Sequence, residues 1–141
     1  ELQAQQRNQL LENEAEIAAL LERRGFVKLY PETLPVEDQL RLLCQAETVV
    51  AVHGAALAPL LYRRQDAPPL ALVELFPVGH ITNVYRAVAA AVGARWCGVR
   101  GRLEAAHLPE LYQLDQPYLK HSLRNFEVDP ASVEAALNEV S

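Results

Sequence analysis

The chain has 141 residues, half of them hydrophobic, which is enough for one compact domain with a buried core. Its formal net charge of −5 argues against general nucleic-acid binding, which requires a basic face. Its apolar runs are shorter than a membrane span, and residues 1–24 are too polar for a signal peptide.

The two cysteines, Cys44 and Cys97, lie in segments with the composition of buried elements. Their spacing fits neither a metal site nor a disulfide framework, so we interpret them as small core residues in a reducing compartment. Together with the composition, this predicts a cytoplasmic location. The sequence has no methionine, even at position 1, and we expect it to begin inside a longer polypeptide.

Helical periodicity alternates with short apolar runs up to residue 99. The predicted strands cover residues 26–30, 48–52, 70–76 and 94–99. The predicted helices cover residues 4–24, a segment starting at 33–37, and residues 55–63, 80–92 and 129–137. This order predicts an α/β fold in which helices flank a parallel sheet with right-handed crossovers.

Residues 101–123 break the alternation. Prolines, scattered charges and two histidines, His107 and His121, occur here without helical or strand periodicity. We interpret this stretch as an irregular insert within a single domain of residues 1–141, because it is too short and irregular for a second domain.

The stretch of residues 48–57 combines a buried strand with polar and small residues at its end. The apolar strand stops at His53-Gly54, and Ala55-Ala56 can begin a helix. At the carboxyl end of a parallel strand, a histidine and the first amides of a helix form a junction suited to an anionic ligand. We therefore predict that His53, Gly54, Ala55 and Ala56 bind a phosphate. An ordinary turn is the alternative.

Polar residues elsewhere are candidates for the same ligand. Glu74, near the end of the next strand, could accept hydrogen bonds from ribose or sugar hydroxyls, or could cap the following loop. Thr82 and Asn83 could contact phosphate or ribose, or could simply be polar residues at a helix start. Arg7 could pair with a diphosphate, or could be solvated. Tyr85 is expected to pack in the core rather than stack on a base.

Several common site motifs are absent from the sequence. It contains no Gly-x-Gly-x-x-Gly turn, no phosphate-binding P-loop and no Gly-x-Ser-x-Gly elbow. The four histidines lack close metal-ligand spacing, and no Asp-x-Asp pair is present to hold a divalent cation against a diphosphate. We predict no metal site and no cofactor.

A series of short motifs, in order along the chain, resembles glycosyltransferase family 61. The most specific are residues 52–57 (Val-His-Gly-Ala-Ala-Leu) with 60–62 (Leu-Leu-Tyr), and 73–77 (Val-Glu-Leu-Phe-Pro) followed by Tyr85. The others are Arg7 with residues 13–17, then 25–27, 31–34, 38–40 and 46–50, and the ending 125–129. The resemblance covers residues 7–99 well and the remainder loosely.

The resemblance implies the carboxy-terminal, nucleotide-sugar-binding half of a GT-B glycosyltransferase, whose two Rossmann-like domains face each other across a cleft. It implies metal-independent transfer with inversion at the anomeric carbon, to a polysaccharide or glycan acceptor. Carried onto this chain, His53, Gly54, Ala55 and Ala56 would hold the donor diphosphate, and Arg7 would neutralise its charge. Glu74 would contact the ribose or sugar, and Thr82 and Asn83 are further candidates for that contact.

The chain departs from the family pattern in three places. Arg7 lies further ahead of Asn13 than expected, Ala56 replaces a common glycine, and residues 101–123 fall outside the pattern. The resemblance also places the acceptor-binding, amino-terminal domain before Glu1. We therefore expect the catalytic base in that missing domain, so that these 141 residues alone bind nucleotide weakly and transfer nothing.

Two other functions compete with the glycosyltransferase. One is a non-catalytic module that binds a nucleotide or a sugar phosphate. The other is a doubly wound interaction domain with no ligand at its switch point. Binding of a nucleoside diphosphate would distinguish the transferase and the binding module from the interaction domain. The sequence preceding Glu1 would distinguish the transferase from the binding module.

Overall fold

The computed structural model describes residues 11–79, 82–103, 105 and 125–141. Within these ranges, three strands form one parallel sheet in the order β1-β2-β3: β1 is Thr48–Val52, β2 Ala71–Phe76 and β3 Arg95–Arg100. Four α-helices accompany them: α1 is Glu14–Arg23, α2 Val36–Gln45, α3 Val84–Ala91 and α4 Pro130–Val140. The segments Pro31–Thr33 and Ala55–Tyr62 are 3₁₀ helices. The sequence-based prediction of an α/β fold with a Rossmann-like parallel sheet is confirmed.

The central strand is β2, and all six of its residues are buried. Successive side chains of a strand point to opposite faces, so a strand covered on both sides reads as one continuous apolar run. In β2 this run is interrupted by one charged residue, Glu74. The residue therefore lies in the middle of the sheet, with β1 on one side and β3 on the other.

Two apolar clusters cover the two faces of the sheet. Helices α1 and α4 pack on one face, where Ile17 and Leu137 meet Val73 and Leu75 of β2. Helix α3 and the 3₁₀ helix Ala55–Tyr62 pack on the other. There Leu57, Leu60, Tyr85 and Ala89 surround Leu70 and Leu72.

The carboxy-terminal segment returns to the start of α1. The amide of Glu12 donates to the carbonyl of Phe126 at 2.8 Å. The side chain of Asn13 then pairs with the backbone of Val128 in both directions: its Nδ2 donates to the carbonyl at 2.8 Å, and its Oδ1 accepts from the amide at 3.1 Å. Asn13 thus provides hydrogen-bond partners for the amide and the carbonyl of the fully buried Val128, and this contact holds α4 beside α1.

The structure corrects two element predictions. Residues 26–30 form no strand and pair with no strand among the described residues, and Val27 is 79% exposed. β-propensity alone does not make a strand without packing and a ladder partner. Residues 55–62 form a 3₁₀ helix rather than an α-helix. Pro59 lacks an N–H and its ring crowds the carbonyl four residues earlier, which disfavours α-helical bonding.

The remaining predicted elements are present with shifted ends. Predicted strands 70–76 and 94–99 begin one residue later, and the terminal helix extends to Val140. The predicted helix of residues 80–92 begins at Val84. Most of the predicted insert 101–123 and residues 4–10 of the first predicted helix lie outside the described residues, and the single-domain assignment stays a prediction. No helix in the described ranges is long and apolar enough to cross a membrane.

A buried arginine joins the segments at the amino ends of β1 and β2. Arg63 is 9% exposed. Its guanidinium donates to the carbonyls of Leu43 at 2.6 Å and Ala46 at 2.8 Å, and to that of Pro68. Three carbonyls at the end of α2 and before β2 therefore depend on one side chain.

We expect Arg63→Met to lower the free energy of unfolding by about 3 kcal/mol, because hydrogen bonds to charged groups contribute about 1.5–3 kcal/mol each and are not additive. Urea denaturation measures this change. Arg64→Met is the matched control, because its ion pair with Asp66 at 2.8 Å is fully exposed and screened by solvent, so its loss should change stability little. Equal losses in the two variants would contradict the assigned role of Arg63.

Replacing Asn13 by Ala should cost about 2 kcal/mol, since it leaves the buried amide and carbonyl of Val128 without this partner. Asn138→Ala removes only an exposed contact with Arg24 at 3.3 Å and should change stability by less than about 0.5 kcal/mol. The same urea measurement compares the two variants. An unchanged midpoint for Asn13→Ala would show that the Asn13–Val128 pair contributes nothing.

Candidate functional site

The candidate site lies at the carboxyl ends of β1 and β2. His53 directly follows β1, and its amide donates to the carbonyl of Leu75 at 2.8 Å, which extends the ladder by one residue. Its side chain faces the same side of the sheet as Ala51, the side covered by α3 and the 3₁₀ helix. The sequence-based placement of His53 at a strand end is therefore confirmed.

Glu74 and His53 form a close pair. The carboxylate is fully buried, and its Oε1 lies 2.6 Å from Nδ1 of His53. Its Oε2 accepts a hydrogen bond from Nε1 of Trp96 at 2.8 Å. A buried carboxylate is destabilising unless donors satisfy its oxygens, and here each oxygen has one. The three side chains come from, or directly follow, the three strands of the sheet.

Aromatic side chains enclose the His53 ring. Phe76 stacks on it with centroids 5.2 Å apart, and Tyr85 meets it edge-on at 5.6 Å. Tyr85 is 8% exposed, which confirms that it packs rather than presenting a face to a base. Burial, with a smaller contribution from the charge of Glu74, raises the pKa of Tyr85. The His53 side chain keeps 16% of its surface exposed, so it is mostly but not fully enclosed.

Gly98 provides the space that Trp96 occupies. Glu74 and Gly98 are paired across β2 and β3. A Cβ on Gly98 would lie 2.8 Å from Cη2 and 3.0 Å from Cζ2 of Trp96, closer than any side chain tolerates without moving the ring. The guanidinium of Arg86 lies over the Trp96 ring at 5.7 Å from its centroid, a cation–π contact.

The backbone after His53 is open. Gly54 is extended, with φ 167° and ψ 175°, and the one described atom within 4 Å of a Cβ placed there is the carbonyl oxygen of Val52, at 4.0 Å. Ala55 and Ala56 are exposed. Within the described residues, Leu57 has the first amide of the 3₁₀ helix that donates to a backbone carbonyl, that of Gly54 at 3.1 Å. The preceding amides are therefore placed where helix starts bind anions.

The other predicted contacts have different outcomes. Thr82 is half-buried, and its Oγ1 accepts from the amide of Val84 at 3.4 Å, while the exposed Asn83 precedes α3. Tyr85, in the first turn of α3, touches the His53 ring, so the start of that helix lies at the same edge of the sheet. Arg7 lies outside the described residues. The predicted contact of Glu74 with a ribose or sugar stays a prediction, although both of its oxygens have protein partners.

Sequence reasoning missed Trp96, Gly98, Phe76 and Arg86. One signal was available. A glutamate inside an otherwise apolar, central strand needs donors, and the indole of the single tryptophan lies on a neighbouring predicted strand. The register that aligns Trp96 with this carboxylate could not be read from the sequence, because it depends on how β2 and β3 pair.

A second feature is an open depression of about 630 Å³ beside α1. Among the residues that line it, Lys28 and Glu14 form an ion pair at 2.5 Å. The hydrogen bond to Glu14 raises the pKa of Lys28, and the same bond lowers the pKa of Glu14. Both groups are substantially solvent-exposed and neutralise each other, so this depression offers no activated group. Among the described residues, no cluster of three or more metal-ligating side chains occurs.

Comparison with known proteins supports the resemblance deduced from the motifs. No curated protein matches the chain. Residues 3–70 match the family model described as Glycosyltransferase 61. This range is slightly less than half of the 141 residues; it includes α1, α2, β1 and His53 through Ala56 and ends before Glu74. Over residues 3–70, the chain is thus similar to glycosyltransferase family 61, which supports the assignment of a glycosyltransferase.

Proposed function

We propose that this chain is the donor-binding domain of an inverting, metal-independent glycosyltransferase that uses a nucleotide-sugar and acts on a polysaccharide or glycan acceptor. One observation carries the proposal. A histidine backed by a buried carboxylate lies at the carboxyl end of a parallel strand, directly before the exposed start of a helix. The family match covers this histidine and the residues after it.

The diphosphate of the donor is proposed to bind at His53 and at the amides of Gly54, Ala55 and Ala56. Two properties support this location. The carboxyl ends of parallel strands are where open α/β sheets bind ligands, and unpaired amides at a helix start favour negative charge. The small side chains at 54–56 let a ligand approach the backbone closely. Arg7 is proposed to add a positive charge.

The ribose or sugar is proposed to lie towards the start of α3. Thr82 and Asn83 are the candidate contacts, because the first turn of α3 touches the His53 ring through Tyr85. Glu74 was assigned the same role by resemblance. Its complete burial and its two protein partners favour a position behind His53 instead.

Transfer requires the leaving nucleoside diphosphate to be stabilised as its bond to the sugar breaks. In a metal-independent enzyme, protein donors neutralise this charge. His53 and the following amides are proposed to do so here, in agreement with the lack of an Asp-x-Asp pair. The group that deprotonates the acceptor hydroxyl is proposed to belong to the amino-terminal domain of the same protein.

Nucleoside diphosphates should stabilise the protein against thermal unfolding. Tested as UDP, GDP, ADP and CDP, at least one should raise the melting temperature as its concentration rises. At a concentration 100 times Kd, the gain is about 2.7 kcal/mol. The parent nucleosides, which lack phosphate, should give a much smaller shift. A panel without any concentration-dependent shift would contradict the proposal and favour an interaction domain.

Replacing His53 by Ala should weaken binding of that nucleoside diphosphate at least tenfold in calorimetry, because a charge-assisted hydrogen bond contributes about 1.5–3 kcal/mol. Gln45→Ala is the control, since this exposed residue ends α2 near the amino end of β1, away from the site. Equal affinities for the wild type and His53→Ala would refute the phosphate-binding role of His53.

The same affinity should be found with EDTA and with added Mg²⁺ or Mn²⁺, since protein donors rather than a cation are proposed to meet the diphosphate. Binding that appears only with a divalent cation would contradict the metal-independent mechanism while leaving the nucleotide site in place.

A further inference from the structure

We propose that Glu74 and Trp96 are positioning residues: together they hold the His53 ring with a hydrogen on Nδ1 and fix the orientation in which it meets the donor diphosphate. The proposal rests on the proposed function, in which His53 contacts that group. It assigns Glu74 a role different from the ribose or sugar contact that the family resemblance implies.

The donors and acceptors of the three side chains determine where the hydrogen on the ring must lie. An ionised carboxylate only accepts hydrogen bonds, and the indole N–H of Trp96 only donates. Oε2 of Glu74 is engaged by that N–H at 2.8 Å, and Oε1 lies 2.6 Å from Nδ1 of His53. A short contact to a carboxylate oxygen requires a hydrogen on Nδ1. Because diphosphate oxygens only accept hydrogen bonds, the ring then meets them through a second N–H at Nε2, as an imidazolium.

The surroundings of Glu74 and His53 also make the pair rigid. The carboxylate is fully buried in the central strand, where its rotamer is fixed by packing. The His53 ring is further held by stacking on Phe76 and by the edge of Tyr85. Among the described residues, the hydrogen bond to Glu74 and the contacts with Phe76 and Tyr85 restrict the rotation of the ring. Binding a ligand therefore costs less conformational entropy than it would with a mobile ring.

A glycine in β3 leaves space for the indole that binds Glu74. Trp96 precedes Gly98 by two residues on the same strand, and its ring lies over the position that a Cβ at Gly98 would occupy. Phe76, which stacks on His53, also contacts the Trp96 ring edge-on at 6.4 Å. Gly98 thus leaves space for the indole whose N–H donates to Oε2 of Glu74. If the indole moved, that carboxylate oxygen would lose this hydrogen bond.

Glutamine cannot replace glutamate in this arrangement. Its side chain has one acceptor oxygen, and its NH₂ group would face the N–H of either Trp96 or His53. Glu74→Gln keeps the size of the side chain but satisfies only one of the two donors. The variant therefore tests positioning with little change in packing volume. Glu22→Gln, on the exposed face of α1, is the matched control.

Nuclear magnetic resonance tests the proposal without any ligand. In ¹⁵N-labelled protein, long-range ¹H–¹⁵N spectra distinguish a ring protonated at Nδ1 from one protonated at Nε2, and His53→Ala identifies the His53 signals. We expect a hydrogen on Nδ1 in the wild type and in Glu22→Gln, and a changed pattern in Glu74→Gln. Because Trp96 is the single tryptophan, its one indole N–H signal should also shift in Glu74→Gln. A wild-type ring protonated only at Nε2 would overturn the proposal.

The second test measures the Kd of the nucleoside diphosphate that stabilises the wild-type protein in the thermal-unfolding experiment. We expect Kd to rise about tenfold in Glu74→Gln and to stay unchanged in Glu22→Gln. Gly98→Ala keeps every hydrogen-bonding group but displaces the Trp96 ring, and we expect it to shift the indole signal and raise Kd by a smaller factor. Wild-type affinity in a folded Glu74→Gln would overturn the proposal, even if His53→Ala abolishes binding.

The two hypotheses fail in different ways. If no nucleoside diphosphate binds the wild type, the proposed function fails, and the ring spectra still decide whether Glu74 sets the hydrogen on Nδ1. If Glu74→Gln does not fold, as judged by circular dichroism, Gly98→Ala replaces it in both tests, and Trp96→Phe, which has no indole signal, replaces it in the binding test. An unchanged Kd in both folded replacements would then overturn the positioning role.

Discussion

The need to satisfy a carboxylate in the middle of the sheet constrains the arrangement at its carboxyl edge. Glu74 is fully buried in β2, and a buried ionised group without partners would cost several kcal/mol. Its two oxygens are met from both neighbouring strands, by His53 after β1 and by Trp96 of β3. One charged residue thereby fixes a titratable ring, an indole and the glycine beside it. The candidate site is a consequence of this constraint.

A second buried charge lies towards the opposite end of the sheet and has a different role. Arg63 donates to backbone carbonyls at the end of α2 and before β2, so its hydrogen bonds among the described residues join backbone segments. Glu74 instead contacts side chains, one of which keeps part of its surface exposed. At the amino ends of the strands, Arg63 bonds backbone carbonyls, whereas a histidine and the start of a helix lie at the carboxyl ends. This asymmetry matches the general position of ligand sites in parallel sheets.

The sequence allowed the order of elements and the strand end at His53 to be predicted, because short apolar runs, prolines and glycines mark them locally. It did not show that residues 26–30 lack a strand partner among the described residues. Nor did it show that residues 55–62, which include Pro59, form a 3₁₀ helix instead of an α-helix. For the site, the sequence indicated His53 and Glu74 separately. Their 2.6 Å contact and the part played by Trp96 depend on strand register and on the space above Gly98, which are properties of the packed sheet.

The most direct test of this account is a crystal structure of the protein with the nucleoside diphosphate that stabilises it best. The account predicts diphosphate oxygens within about 3 Å of a ring nitrogen of His53 and of at least one amide among Gly54, Ala55 and Ala56, with Glu74 still bonded to Nδ1. A nucleotide bound elsewhere, or a diphosphate that contacts neither the histidine nor these amides, would contradict it.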